Sequence, residues 1–272
     1  MTESELYEKQ HKRYAVRVYP IFLRALQKQI QPVIDFIRRT GDTNPPLDLL
    51  IQQGDFKIPM NEAYEIIGQL SAKRQYYAIR AADGEVKALL SFLTEVWRKI
   101  FYDYSTDYAY RIDNELAETT KQEIRNALTY SYDNQLNADQ TAAYIQKKVG
   151  REISRQRAVL IARTETTTAS NLGKITGARS WLSEAGQKGY KQWIGRGDDR
   201  ERSTHIALND TFLPIDDHFS VGGSPALAPG DVELPAKERC NCRCTCIYLS
   251  ERLYNRLMRD QNKNSFNLFD II

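Results

Sequence analysis

Apolar residues recur at three- and four-residue steps through YPIFLRALQKQIQPVIDFIRRTGD, where Ile21, Phe22, Leu26, Ile30, Val33, Ile34 and Ile37 form one stripe. That period predicts a helix buried along one face. Pro20 and Pro32 should start, kink or divide it, and Gly41 should end it. GDTNPPLDLLIQQGDFKIPM is broken by proline and glycine and reads as a connector or short arm. Helical patterning resumes in NEAYEIIGQLSAKRQYYAIRAA and continues through VKALLSFLTEVWRKIFYDYSTDYAYRIDNELA. The second segment is rich in aromatics: Trp97, Phe101, Tyr102, Tyr104, Tyr108 and Tyr110. Their helical spacing among leucines and isoleucines favours packing against other helices over a base-stacking surface. Asn137, with Gln140 three residues on, fits a reciprocal N-terminal cap. A last long helix is expected from Ser154 to Glu184, stopped by Gly186 and Gly189.

Inside that helix RTETTT is unusual. Thr164, Thr166, Thr167 and Thr168 are weak helix formers, because a β-branched side chain loses freedom against the preceding turn. A weak helix of this kind needs a docked partner, with Arg163 and Glu165 as polar anchors; a solvated polar turn is the alternative. After Gly189 short apolar runs alternate with Gly, Pro, Asn and Asp clusters, the texture of short strands and structured loops. ALNDTFLPI reads as a hairpin turning at Asn209 and Asp210. The fold class is therefore α+β, a mostly helical region over 1–150 followed by a small β-rich domain over 151–250 packed on the long helix. Residues 251–272 should add a short helix, SERLYNRLMRDQ, and a mobile tail.

Composition changes this picture little. The chain has 272 residues, 42% hydrophobic and 27% charged, with a net charge of +3, so nothing in the balance demands a nucleic-acid or membrane partner. No apolar run approaches the ~18 residues of a spanning helix, and the polar start lacks the apolar core of a signal peptide. A soluble protein of a reducing cytosol is expected. From Lys191 to Cys246 there are seven Lys or Arg against nine Asp or Glu, which argues against a basic face on the small domain.

All four cysteines lie in CNCRCTC, Cys240 to Cys246. On an extended strand the sulfurs share one side but sit about 6–7 Å apart, too far for one tetrahedral ion without a bend. A kink would bring two together, with His205 or His218 joining Cys242 and Cys244. Zinc, a cluster of packed thiols and a disulfide all remain open, because C-x-C alone lacks the spacing of structural zinc pairs. GDDRERSTH offers a nuclease-like alternative in which Asp198, Asp199 and His205 gather a metal and a water. Against it, acids and arginines there alternate closely enough to neutralise one another, and no complete nucleophile, base and charge stabiliser is visible; no catalytic residue is assigned.

Together these pieces resemble the phage Mu F-like minor head proteins, the head morphogenesis family. The resemblance rests on Ala162–Glu165, Trp193, Asp198, Arg200, Arg202, His205, Leu208, Pro214, Asp216, Asp217, Phe219 and Asn241–Cys244, in the family's order, across about residues 150 to 249. Asp210 departs from it by standing where the family has glycine, and Cys240 and Cys246 extend the usual C-x-C. The resemblance implies a structural protein at a few copies per virion, inside the capsid near the portal. Portal protein, a major capsid or scaffolding protein and packaged DNA bound without sequence specificity are the implied partners, with no membrane. It also singles out His205, Cys242 and Cys244 as the strongest metal ligands if zinc binds. Arg163, Glu165, Trp193, Asp198, Arg200 and Arg202 become docking residues, with Asp198 accepting from Arg200 or Arg163 and Glu165 pairing with Arg202. A metal-dependent nuclease or hydrolase acting on phage DNA is the rival. A toxin-like transferase draws only on the frequent fusion of Mu F-like domains to toxins.

Overall fold

The computed structural model describes residues 3–84 and 90–261, so the tail expected after the last helix lies outside the described residues. Its helices are α1 (Glu3–Thr40), α2 (Leu47–Leu50), α3 (Lys57–Ala82), α4 (Leu90–Asp133), α5 (Ala138–Lys147), a π-helical turn (Lys148–Ile153), and α6 (Ser154–Ala185). Then come β1 (Gly189–Ile194), α7 (Ser203–Ile206), β2 (Phe212–Pro214), β3 (Phe219–Val221), β4 (Ser224–Ala226), α8 (Ala236–Arg239), β5 (Thr245–Ser250) and α9 (Glu251–Gln261). The architecture is α+β. Two compact units divide the chain: Val16–Glu62 with Asp103–Ala162, and Met1–Ala15 with Ala63–Tyr102 and Arg163–Ile272.

The first of these is all helical. Ile30, Val33, Ile34 and Ile37 of α1 pack with Ile124 of α4 and Ile145 of α5 in one buried cluster. Pro20 and Pro32 lie inside α1 without dividing it. Each removes one backbone bond, at a cost of about 3 kcal/mol. Buried Ile21, Phe22, Val33 and Ile34 beside them offset it, at about 1.5–3 kcal/mol per side chain. Gly41 ends the helix with φ +69°, its N–H donating to the carbonyl of Ile37. Asn137 and Gln140 form the reciprocal cap of α5.

The second unit is built around α6, buried on all sides from Thr164 to Ser170 although most of those residues are polar. A helix buried all round is ordinarily apolar. Here hydrogen bonds replace apolar contact. Thr167 Oγ1 donates to the Cys242 carbonyl at 2.6 Å, Thr168 Oγ1 to that of Gly230 at 2.7 Å, and Thr164 Oγ1 accepts from Asn241 N–H. Asn171 Nδ2 donates to the carbonyls of Pro229 and Cys244, and its Oδ1 accepts from Thr245. Along the same helix Gly173 and Gly177 meet α3 so closely that an added Cβ would lie 2.5 Å from the Gly68 carbonyl oxygen and 2.1 Å from that of Ala72. Of the aromatics of α4, Trp97 and Phe101 are buried in this unit, whereas Tyr102 is exposed; Tyr108 is buried and Tyr110 exposed in the other.

The sheet is antiparallel in the order β2–β1–β5, with Tyr190 opposite Pro214 on one side and Trp193 opposite Cys246 on the other. The hairpin expected at Asn209 and Asp210 is not formed. Residues Ala207 to Asn209 continue the helical turns of α7, and β2 pairs with β1 instead. Asp210 keeps the positive φ (+62°) that closes this turn. The tight hairpin joins β3 to β4 through Gly222 and Gly223, both at positive φ, as a two-residue turn matched to strand twist requires.

Candidate functional site

The bend that the cysteine run needs is at Asn241, whose φ of +59° turns the chain between α8 and β5. Cys242 and Cys244 therefore precede the strand, while Cys246 lies on it, opposite Trp193. His205 comes from α7, the short helix after β1. Its Nδ1 is 3.4 Å from Cys244 Sγ and 3.6 Å from Cys242 Sγ, and the three ligand atoms lie within 4.8 Å of one another. All three residues are at most 2% exposed. Behind the ring, Glu238 of α8 places Oε2 3.2 Å from Nε2 while accepting from the Thr204 hydroxyl. Trp193 closes one side, its ring edge-on to His205 at 5.5 Å.

The electrostatics follow from these contacts. Hydrogen bonding from Cys244, with the nearby imidazole adding to it, holds the Cys242 thiol well below its ordinary range against the effect of burial. The interaction with Cys242, together with burial, pushes Cys244 up. Burial lifts Cys246 to about 12. One thiolate beside a histidine is the pattern of a nucleophile, but sulfurs this deeply covered do not meet a substrate. All four cysteines are unbridged in this structure. His218 is exposed and, like Cys240 and Cys246, stands outside the cluster.

The other singled-out residues are placed as follows. Asp198 forms a two-point ion pair with Arg243, at 2.6 and 2.7 Å, and that hydrogen bonding holds its carboxyl well below the usual range. Arg200, though exposed, also donates to this carboxylate, by its backbone N–H at 3.2 Å and its side chain at 3.4 Å. Arg202 donates to the Cys240 carbonyl at 2.6 Å, not to Glu165. Glu165 is met instead by Tyr64 at 2.8 Å and Arg239 at 3.3 Å. Arg163 is exposed and presents its side chain to a cleft of about 410 Å³ that Lys12, Arg200, Arg202 and Arg243 also line, with Glu8 as the acid among them. Counting charges along 191–246 hid this basic surface, because two of its cations come from outside that segment and Asp198 is tied to Arg243.

Sequence reasoning missed His11. Its Nε2 is 3.0 Å from both the Arg163 carbonyl and Thr167 Oγ1, so an Nε2–H donates to that carbonyl. Through Thr167 it is linked to the Cys242 carbonyl. Burial pushes its pKa down to about 4 from an ordinary 6.5. Between those values the unfolded chain binds a proton that the folded one refuses, so stability falls as pH drops from 6.5 to 4. That loss is expected to reach the order of 3 kcal/mol. Melting temperature measured against pH should be flatter across this window in His11→Gln than in the parent; equal slopes would remove His11 as the cause.

The unit thus combines a long polar helix, a small antiparallel sheet and a buried His-Cys-Cys cluster. The family model for Phage Mu protein F like protein matches residues 122–247, and over that span the chain is similar to the Mu F-like head proteins. Minor head protein GP7 of Bacillus phage SPP1 is 32% identical over 111 residues, 40% of this chain and 34% of that protein. An NAD(+)--arginine ADP-ribosyltransferase EFV of Enterococcus faecalis is 27% identical over 160 residues, 59% of this chain and 31% of the other. The chain thus spans about a third of the length of these curated relatives. No solved structure gives a significant match. No described helix is long and apolar enough to cross a membrane.

Proposed function

We propose that the chain is a structural minor head protein of a tailed phage, acting in head morphogenesis inside the capsid near the portal. The observation that carries this is the similarity of residues 122–247 to the Mu F-like family together with that to a minor head protein. Portal protein and a major capsid or scaffolding protein are its proposed partners, met through the helical region 1–150, with the small domain over 151–250. Exposed large side chains on that region, such as Leu49, Ile58, Tyr110 and Tyr132, support such contacts. The cleft lined by Lys12, Arg163, Arg200, Arg202 and Arg243 keeps a positive balance although Lys12 pairs with Glu8 and Arg243 with Asp198, and packaged DNA bound without sequence preference is its proposed occupant.

The nuclease reading required Asp198, Asp199 and His205 around one ion. His205 instead turns to two sulfurs, and Asp198 is engaged by Arg243. An epitope-tagged copy expressed during infection should copurify with intact heads, and heads made without the chain should be defective in DNA content or delivery. Heads that lack the tagged chain, or that form and infect normally without it, would overturn the proposal. Point changes such as Tyr110→Glu are the suitable probes of contact. Deleting residues 1–60 would also remove His11 and Tyr7 from the second unit, where both are buried.

A further inference from the structure

We propose that His205, Cys242, Cys244 and Glu201 are the four ligands of a zinc-class divalent cation, with Glu238 orienting the imidazole from behind. The distances among His205, Cys242 and Cys244 are those of a coordination shell. Zinc bonds of about 2.3 Å to sulfur and 2.0–2.1 Å to nitrogen, at the tetrahedral angle, put N and S about 3.5 Å apart. Nδ1 of His205 stands 3.4 and 3.6 Å from the two sulfurs. Hydrogen bonding alone accounts for this poorly, because one ring nitrogen has a single proton or a single lone pair and here faces two sulfurs. A cation between the three atoms satisfies all of them.

The fourth ligand comes from the loop before α7. Glu201 Oε1 lies 3.9 Å from Cys244 Sγ, outside the group of three whose ligand atoms all fall within 4.8 Å of one another, and a rotation of its carboxylate about the Oε2 contact with the Gly197 N–H would bring it onto the ion. Gly195 makes room for it, since a Cβ there would fall 2.0 Å from Oε1. The far side of the ring has the partner that metal-bound histidines use: Glu238 at Nε2, buried and held by Thr204. A carboxylate on Nε2 fixes the proton there and leaves the Nδ1 lone pair facing the sulfurs. Two thiolates and one carboxylate exceed the ion by a single negative charge, and the positive field of Arg202 acts at the same ring. Thiolate with imidazole selects zinc over magnesium or calcium. With four protein ligands the site is closed and structural; it ties α7 to the loop leading into β5.

The test uses the full chain expressed without added metal. Elemental analysis should find one zinc per chain, and a strong chelator should lower the melting temperature. Cobalt(II) exchanged into the site should show thiolate-to-metal charge-transfer absorption and the intense visible bands of tetrahedral geometry. Those signatures should persist in Cys246→Ser and lose thiolate character in Cys244→Ser. Glu201→Gln should alter the visible bands and weaken binding, and Glu238→Gln should weaken it by roughly 10–100-fold with the bands retained. Zinc well below one equivalent, with no thiolate band on cobalt titration of the folded parent, would overturn the proposal. Since that reading needs no variant, a Cys244→Ser chain that fails to fold does not protect it. An unchanged cobalt spectrum in Glu201→Gln would overturn the four-ligand set.

Discussion

Gly177→Leu is expected to prevent the second unit from folding, and Gly177→Ala to destabilise it. Helix propensity alone predicts the opposite for alanine, a gain of about 1 kcal/mol over glycine inside a helix. The surroundings decide otherwise. A Cβ at this position would stand 2.1 Å from the carbonyl oxygen of Ala72 and 2.8 Å from its carbon, and these are backbone atoms that no rotamer change can move. Gly173, one turn earlier, is pinned in the same way by Gly68. Relief requires α3 and α6 to separate, which would loosen the packing around Tyr64, Tyr76 and Trp181. Overpacking typically costs about 1–3 kcal/mol, and leucine here should exceed that range. Denaturant melts of both variants check it. An alanine variant as stable as the parent would show that the helices part easily.

Asn171→Leu should be nearly as damaging, by about 3–5 kcal/mol if each abandoned partner costs roughly 1–3 kcal/mol. Leucine is close in volume and better suited to a helix, so neither size nor propensity explains a loss. The side chain it replaces reaches three groups at once: the carbonyls of Pro229 and Cys244, and the Thr245 hydroxyl. Leucine would leave these buried groups facing hydrocarbon. Thermal melts of Asn171→Leu and Thr168→Val, compared with the parent, separate this cost from loss of a single bond. Thr168 has one such cross-contact, to the Gly230 carbonyl, and its valine variant should lose correspondingly less. Equal losses would show that the network does not concentrate on Asn171.

The sequence showed the long helices and their ends well, because the apolar stripe of α1, the cap at Asn137 and the stop at Gly186 are local signals. It also marked RTETTT as a place needing partners. It did not show who those partners were. Thr164, Thr167, Thr168 and Asn171 bond to backbone carbonyls and an amide, groups every residue has, so no residue type at the far end betrays the pairing. Glu165 pairs with Arg239 where Arg202 is expected, and Asp198 accepts from Arg200 as expected but takes its two-point ion pair from Arg243. The spacing G-x-x-x-G at Gly173 and Gly177 was the readable sign of the close crossing with α3. Glu201 and Glu238 could not be separated from other acids until the fold put Glu238 at the imidazole Nε2 and Glu201 beside Cys244. The hairpin was misplaced because Asn-Asp and Gly-Gly both permit positive φ, and only strand pairing distinguishes them.

The second unit joins one early strip of chain, Met1–Ala15, to segments that follow it, Ala63–Tyr102 and, much later, Arg163–Ile272. His11 meets Thr167 156 residues later in the sequence. At roughly 5–20 residues per second, a ribosome takes about 10–30 s to make that stretch. Until then Tyr7 and His11 lack their destination, whereas Val16–Glu62 can close on Asp103–Ala162 earlier. Order of synthesis therefore constrains order of folding: the all-helical unit has all its segments once Ala162 is made, before the rest of α6 and the cysteine run that complete the other unit.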